Sequence, residues 1–422
     1  MQTHSVLDEA TAAVRPSLEV ADILRTHGEQ YRSKHPLTKE QLKAMTDIQR
    51  CRTAALGGHV GICDKGCGFM RISYNSCRNR NCPKCQGLQS ARWLEKRCER
   101  ILPTRYFHVV VTFPHQLNEL ILHNEELLYN IMFRAAAQSL LELARDWKRL
   151  QAHIGLTAIL HTWNQDMRFH PHLHMVVTAG GLDRSQTRWI ESQNKFLVPV
   201  KALSVKIRGK FLHYLKRAYD HGKIAFRGNI QHLADPPSFG ALVKGLYRKK
   251  WVVYSKQPFA GPEQVFAYLS RYTHKVAISN HRLVRMIDGS VTFLARDNHM
   301  TGHKRSVTVT AEEFIRRFLL HVLPAGFTKI RHYGLMASGN AKTKLEIARK
   351  LLQESDSKLP NTRGVSIPCQ SARTWQEIFL HLTGVDLTVC PQCAKGRLIR
   401  QPLFIVHETS AFQPAPIFLD SS

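Results

Sequence analysis

The fold is decided by the stretch Gly155-Leu-Thr-Ala-Ile-Leu-His-Thr-Trp-Asn-Gln-Asp-Met-Arg-Phe-His-Pro-His-Leu-His-Met-Val-Val-Thr178. Its apolar, β-branched ends predict strands over 155–165 and 172–178, and its polar centre predicts a turn over 166–171. A turn that is symmetric about residues 168 and 169 would place Gln165 opposite His172. The chain therefore carries a strand pair with histidines at one end.

The flanking residues complete an α+β sandwich. A strand is predicted at 106–113, a helix with one apolar stripe at 117–150, a further strand at 251–255 and a helix from Gly261 to about Lys275. The order strand, helix, strand, turn, strand predicts an antiparallel sheet of ferredoxin type.

Composition points to a polyanionic partner. The chain has 422 residues, 60 of them Lys or Arg against 32 Asp or Glu, for a net charge of +28. Such a charge attracts nucleic acid, and a small-molecule metallohydrolase would instead be expected to have a neutral or acidic surface. No apolar run is long enough to span a bilayer, and the first residues lack an apolar signal core. We expect a cytoplasmic protein at the bacterial nucleoid, with DNA and no membrane as partner.

Basic residues concentrate in two regions that we expect to contact DNA. Residues 201–250 hold twelve Lys or Arg against two Asp, and a second group lies among the cysteines. Basic side chains that meet DNA neutralise its phosphates. The predicted DNA contacts are Arg78, Arg80, Lys84, Lys210, Lys216, Arg217 and Arg271; a solvated charged surface is the alternative.

The histidines of the deciding stretch form a candidate metal site. His172 and His174 are two residues apart on a predicted strand, so both imidazoles point to the same face. There they can share one divalent ion that polarises a phosphodiester, and the predicted turn makes Gln165 the candidate third ligand. We expect Mg²⁺ or Mn²⁺ at this site.

A candidate nucleophile pair follows in Tyr268-Leu-Ser-Arg-Tyr-Thr-His-Lys275. Helical spacing places Tyr268, Tyr272 and Lys275 on one face. A tyrosine hydroxyl that attacks a phosphodiester forms a covalent link that stores the bond energy for rejoining, and Lys275 can neutralise the leaving oxygen or help deprotonate tyrosine. The alternative is an aromatic stripe that packs the helix on the sheet.

The cysteines indicate structural zinc. Six of the ten lie between residues 51 and 85, a segment with too little apolar sequence to fold without a metal. The spacings Cys63-x3-Cys67 and Cys82-x2-Cys85 are short enough for each pair to form a knuckle around a tetrahedral ion. We expect one site from Cys63, Cys67, Cys82 and Cys85, and a second from Cys51, His59 and Cys77.

A further pair, Cys390 and Cys393, followed by Gly396, is half of a zinc ribbon. Cys369 and His381 are candidate partners, and a free, metal-less pair is the alternative.

Together these residues resemble the two-tyrosine HUH transposases of rolling-circle insertion sequences, the insertion-sequence-ninety-one family. The resemblance rests on strings along most of the chain: Cys51 to His59, Tyr74 to Arg80, Cys82 to Gln86, Tyr106 to Val109, His161-Thr-Trp163, His170 to His174, Tyr268 to Asn280, Glu313 to Phe318, and Arg331 to Gly334. Asn81 departs from the family, in which histidine often precedes the Cys-Pro-x-Cys motif.

The resemblance implies that His172 and His174 bind metal, that Tyr268 and Tyr272 are nucleophiles, and that the cysteine module recognises DNA. It also implies cleavage at element ends through a 5′-phosphotyrosine, then strand transfer with replication, in which host replication proteins are expected partners. The predicted organisation is a flexible 1–16, a zinc-binding domain in 17–105, the HUH domain in 106–285 with a basic insertion at 201–250, its C-terminal part in 286–337, and a linker and tail in 338–422.

Two other functions remain open. A plasmid or phage replication initiator, or a relaxase, would use the same chemistry, whereas the cysteine module ahead of the HUH domain favours a transposase. A zinc-dependent DNA-binding regulator would contain the same histidines and tyrosines as packing residues only, and it would form no covalent adduct with DNA.

Overall fold

The computed structural model describes residues 16–86, 90, 93, 100–192, 197–259, 276–297, 303–356, 374, 376–377, 379–380 and 384–403. Its named helices are α1 (Val20–Lys34), α2 (Lys39–Arg50), α3 (Asn118–His123), α4 (Glu125–Arg145), α5 (Val200–Asp220), α6 (Pro236–Arg248), α7 (Ala311–Leu319) and α8 (Lys344–Asp356). The strands are β1 (Gly58–Cys63), β2 (Met70–Tyr74), β3 (Tyr106–Thr112), β4 (His153–Trp163), β5 (Phe169–Leu182), β6 (Trp189–Glu191), β7 (Val252–Phe259), β8 (Leu283–Ile287), β9 (Ser290–Arg296), β10 (Lys304–Thr310), β11 (Ile330–Gly334) and β12 (Leu398–Leu403).

The largest sheet has the order β11-β4-β5-β3-β7, with β6 paired to the far end of β5, and all its pairings are antiparallel. Four of these strands occur along the chain in the order β3, β4, β5 and β7, with α3 and α4 between β3 and β4, and with β6, α5 and α6 between β5 and β7. In the sheet the same four lie in the order β4-β5-β3-β7. This is the strand order of a ferredoxin-type sandwich. The predicted α+β fold class is therefore confirmed.

One face of this sheet packs against helices. Val109 and Val111 of β3 and Leu173 of β5 belong to the main core together with α4 and α5. Phe211 of α5, inside the predicted basic insertion, is fully buried in that core. Residues 201–220 are thus a structural layer of the sandwich, because the apolar side of α5 covers the sheet.

Alternation along the strands sends the neighbouring side chains to the opposite face. There a smaller core contains Tyr106, Ile159 and Val176 beside α8. His172 and His174 lie on this face as well, at the end of the sheet where β3 finishes. The face that carries the histidines is therefore the one that α4 and α5 leave uncovered.

The N-terminal helices share a third core with the hairpins β8-β9-β10 and with α7. Thr38 caps α2, since its side chain accepts a hydrogen bond from the Gln41 N–H and the Gln41 side chain accepts one from the Thr38 N–H. Ile23, Ile48, Phe293 and Phe314 are buried together. Residues from the predicted segments 17–105 and 286–337 therefore form a single core.

A second small sheet has the order β12-β1-β2. It joins strands from the two ends of the described chain. Among the described residues, no helix has the length and apolar character that a membrane crossing requires.

Candidate metal and nucleic-acid site

Three imidazoles meet at one end of the large sheet. His161 on β4 lies directly opposite His172 on β5, and His174 is two residues further along β5. Directly opposed residues and residues two apart share a face. The three rings each offer a nitrogen, and these nitrogens lie within 4.8 Å of one another.

Gln165, the predicted third ligand, does not join this group. The Asn164 side chain accepts hydrogen bonds from the backbone N–H of Asp166 at 3.0 Å and of Arg168 at 2.9 Å, so the chain reverses earlier than a symmetric turn would. This shifts the register and places His161, in the string that carried the family resemblance, opposite His172. Gln165 is exposed in the turn, where its carbonyl accepts a hydrogen bond from Arg282.

Hydrogen bonds orient two of the rings. The Nδ1 of His172 lies 2.7 Å from the carbonyl oxygen of His170, so it donates there and leaves Nε2 as an acceptor. The Nε2 atoms of His172 and His174 are 3.2 Å apart. Two nitrogens bound to one divalent ion at about 2.1 Å would be separated by roughly 3.0–3.4 Å, so the two rings fit a shared ion.

A fourth histidine, His108 on β3, supports the site. Its Nε2 lies 3.0 Å from the Nδ1 of His174, and both rings are buried. Burial, together with the charge of Lys256, lowers the pKa of His108 to about 4, so this ring is neutral near pH 7. A neutral His108 can accept the Nδ1–H of His174 and hold its Nε2 towards the other rings. Its position in the string Tyr106 to Val109 gave no sign of this role.

On the histidine face, the strand β7 carries two exposed side chains. Tyr254 pairs with Val110 of β3, which in turn pairs with His174, so Tyr254 lies on the same face two strands away. Its side chain is 54% exposed. Lys256 on the same strand is also exposed. An aromatic ring and a cation beside a metal site suit a nucleic-acid strand.

The predicted nucleophile segment cannot be placed. Tyr268, Tyr272, Lys275 and Arg271 lie outside the residues that the structure describes. The described chain resumes at Val276, which lines a cavity with Thr162 and Trp163. The Trp163 ring stacks on His161 with 4.7 Å between centroids.

Four of the N-terminal cysteines form a thiol cluster, which we call the N-terminal cluster. Its members are Cys51, Cys77, Cys82 and Cys85. The Cys85 Sγ lies 3.5 Å from that of Cys51 and 3.7 Å from that of Cys77. Hydrogen bonds from the neighbouring thiols, that of Cys51 first, lower the pKa of Cys85. Four converging sulfurs with a favoured thiolate match a closed, structural zinc site.

This grouping differs from the predicted one. Cys63 and Cys67 do not join Cys82 and Cys85, because they lie at the end of β1, beside Cys390 and Cys393. His59, also on β1, belongs to neither cluster. Cys369 and His381, the candidate partners for the tail pair, lie outside the described residues. The prediction grouped cysteines that are close in sequence, and this was wrong because β12 brings Cys390 and Cys393 to the end of β1.

Two of the predicted DNA contacts have partners inside the protein. Arg80 donates to the carbonyl oxygens of Phe327, Leu323 and Pro324 at 2.6, 3.0 and 2.8 Å. Lys84 forms a largely buried ion pair with Glu19 at 2.8 Å. These contacts hold the N-terminal cluster against neighbouring elements, so neither the Arg80 nor the Lys84 side chain is available to bind a DNA phosphate. Asn81 bonds to its neighbour Asn79, since its backbone N–H and its side-chain amide both donate to the Asn79 Oδ1, at 2.9 and 3.3 Å.

The other predicted contacts that the structure describes are exposed or partly exposed. Lys210 pairs with Glu142 at 2.8 Å, whereas Lys216 and Arg217 are exposed on α5. Because α5 covers the opposite face of the sheet, this basic surface lies behind the histidines. Arg78 has a left-handed backbone with φ of 54° in the loop between Cys77 and Cys82.

Comparison with known proteins identifies the family. A family model described as a transposase zinc-binding domain matches residues 23–113, and one described as a putative transposase matches residues 155–344. The putative transposase y4qJ of Sinorhizobium fredii is 44% identical over 395 residues, which cover 92% of this chain and 96% of the relative. This chain belongs to the insertion-sequence-ninety-one family of transposases. As a transposase it acts on DNA.

A second transposase, that of the insertion sequence element IS801 of Pseudomonas savastanoi pv. phaseolicola, is 26% identical over 306 residues, or 71% of this chain and 70% of the relative. No solved structure matches the chain. The zinc-binding model covers every cysteine of the N-terminal cluster, in agreement with a structural zinc site in that domain.

Proposed function

We propose that this transposase cuts and rejoins single-stranded DNA at the ends of its insertion sequence through a 5′-phosphotyrosine intermediate. The single observation that carries the proposal is the convergence of His161, His172 and His174 on the face of the sheet opposite α4 and α5. These three side chains would hold Mg²⁺ or Mn²⁺. When bound, that ion would orient the scissile phosphate and offset charge in the in-line transition state.

The chain's own residues prepare this site. His170 supplies the carbonyl that fixes the His172 ring, and His108 fixes the His174 ring. Both rings therefore keep one Nε2 lone pair directed to the same point without rearrangement. Such preorganisation lowers the cost of binding both the ion and the phosphate.

Tyr268 and Tyr272 remain the proposed nucleophiles. The described residues on either side of their segment support this assignment: Phe259 ends β7, an edge strand of the histidine sheet, and Val276 shares a cavity with Trp163, which stacks on His161. The sixteen residues 260–275 are therefore preceded by a strand of the histidine sheet and followed by a residue that lines a cavity beside β4.

In the proposed reaction a tyrosine Oη attacks phosphorus, and the bond from phosphorus to the 3′ oxygen breaks. The phenol proton passes to solvent, the departing oxygen takes a proton from solvent and becomes a 3′ hydroxyl, and Lys275 is the proposed cation that neutralises its charge. One ester replaces another, so no ATP is needed. The free 3′ hydroxyl would be extended by host replication proteins, and the second tyrosine would allow a second link before strand exchange.

End-labelled oligonucleotides test the polarity of the link. A single-stranded oligonucleotide spanning an element end is incubated with the full chain and Mn²⁺, then denatured. A 5′-phosphotyrosine keeps the 3′ fragment on the protein, so a 3′ label should migrate with the protein and a 5′ label should not. A protein-bound 5′ label, or no adduct under any metal condition, would contradict the proposal.

Matched variants assign the nucleophile and the metal residues. Tyr268→Phe combined with Tyr272→Phe should abolish the adduct, as should His161→Ala. Tyr254→Phe is the control, because this tyrosine lies on the same face and is exposed. Adduct formation that survives in the double variant but disappears in Tyr254→Phe would move the nucleophile to β7.

A further inference from the structure

Two cysteine pairs from opposite ends of the chain meet at one edge of the small sheet. The Sγ atoms of Cys63 and Cys393 are 3.7 Å apart, and those of Cys67 and Cys390 are 3.6 Å apart. All four sulfurs lie within 4.8 Å of one another. More than 320 positions separate the partners in each of these contacts, 330 and 323 respectively.

The sulfur distances fit a metal rather than disulfides. A disulfide requires about 2.05 Å between sulfurs. Four sulfurs placed tetrahedrally at about 2.3 Å from a zinc ion would be roughly 3.8 Å apart, close to the separations observed here. Four thiolates around one Zn²⁺ carry a net charge of +2 − 4 = −2, and Lys65, Lys395 and Arg397 lie in the same two loops.

The loops that carry the two cysteine pairs contact each other closely. The backbone N–H of Gly396 points to the Cys393 Sγ at 3.3 Å. A Cβ at Gly396 would lie 2.3 Å from the Cys63 Sγ, so only glycine permits this approach. The Arg397 N–H donates to the Asp64 carboxylate at 2.8 Å, and the Asp64 N–H donates to the Arg397 carbonyl at 3.0 Å. These hydrogen bonds therefore hold the two cysteine knuckles together.

The tail strand gains little from apolar burial. Strand β12 pairs with β1 along its whole length, from Gly58 opposite Leu403 to Cys63 opposite Leu398. Four of its six residues are exposed, and Ile399 is 54% exposed. Hydrogen bonds between exposed strands contribute little net stability, so another interaction must hold the strand in place.

We propose that Cys63, Cys67, Cys390 and Cys393 bind a second structural zinc ion, distinct from that of the N-terminal cluster. This ion joins the C-terminal hairpin, residues 384–403, to the N-terminal sheet. Both matching family models end before residue 390, so half of the ligands come from outside the matched zinc-binding domain. The C-terminal hairpin is thus a structural part of the zinc-binding domain.

Zinc counting on the purified full chain tests the proposal. We expect two zinc ions per chain by elemental analysis and one after Cys390→Ser with Cys393→Ser. Cys63→Ser with Cys67→Ser should also leave one, and the quadruple variant should still hold one, because all four residues share a single ion. Ile399→Ser with Gln401→Ser, at two exposed positions of β12 in the same hairpin, is the control and should keep two ions. One ion in the wild-type chain, two in either pair variant, or none in the quadruple variant would overturn the proposal.

Two further measurements avoid the loss of thiols. The cadmium-substituted wild-type chain should give two ¹¹³Cd resonances, both in the range of four sulfur ligands; a single such resonance would refute the second site. Gly396→Ala should weaken binding of one ion at least tenfold in a competition with a chelator, because its Cβ would collide with the Cys63 sulfur. Two ions of unchanged affinity in Gly396→Ala would show that the two knuckles do not meet on one metal.

Discussion

Replacing His108 by phenylalanine removes the acceptor for the His174 Nδ1 while keeping a ring of similar size in a buried position. The lost hydrogen bond is worth about 1 kcal/mol net, which alone corresponds to roughly fivefold in ion affinity. The His174 ring also loses the contact that directs its Nε2. Loss of such an orienting partner typically weakens metal binding by about 10- to 100-fold. We therefore expect the Mn²⁺ dissociation constant to rise about tenfold or more.

Electron paramagnetic resonance of free Mn²⁺, titrated into zinc-loaded full-length chain, measures this constant without requiring DNA cleavage. His108→Gln should recover part of the affinity, because an amide oxygen can accept the same hydrogen bond. His332→Gln is the matched control, since His332 lies on the same sheet but bonds to the Thr157 hydroxyl at 2.9 Å. An unchanged Mn²⁺ affinity in His108→Phe, or equal losses in both histidine variants, would refute the orienting role.

Three further changes have defined outcomes. Arg80→Met deprives three carbonyl oxygens of a charged donor and should lower the free energy of unfolding in urea by about 3 kcal/mol, whereas the exposed Lys216→Met should not change it. Burial raises the pKa of Glu125 to about 7. As the pH rises from about 4.5 to 7, the unfolded chain releases a proton that the native chain keeps, so the free energy of unfolding falls over this range. Glu125→Gln should remove this slope and gain about 2 kcal/mol over wild type between pH 5 and pH 8 in urea melts; equal slopes would contradict the assignment. Tyr254→Ala should weaken binding of single-stranded DNA by about 1–2 kcal/mol in fluorescence anisotropy through lost base stacking, and Tyr247→Ala, on the far helix layer, should not.

The sandwich was predictable because its signals are local. The apolar, β-branched run around Val109 and the apolar stripe of α4 each involve residues within a few positions of one another. The third histidine depended on the register between β4 and β5, which differs by four residues from that of the symmetric turn. The sequence Asn164-Gln-Asp contains the signal for an early reversal, since asparagine side chains close turns on the N–H groups that follow. The assumption of a symmetric turn ignored that signal, and it predicted Gln165 as the third ligand instead of His161.

The thiol grouping was not predictable by the same means. Spacing along the chain shows which cysteines form a knuckle, but it does not show which two knuckles share a metal. Cys82 and Cys85 pack with Cys51 because the third core carries them to the end of α2. Cys63 meets Cys393 only because β12 pairs with β1, a contact between the two ends of the described chain.

The N-terminal cluster and the histidine site are connected through a short series of contacts. Arg80 lies in the loop between Cys77 and Cys82 and binds the carbonyl of Phe327. Two residues later the carbonyl of Lys329 accepts the N–H of Leu160, the neighbour of His161 on β4. A zinc ion that fixes this loop would therefore also fix the backbone beside a proposed metal ligand. The zinc-binding domain would thus support the histidine sheet through these contacts, in addition to any contact with DNA.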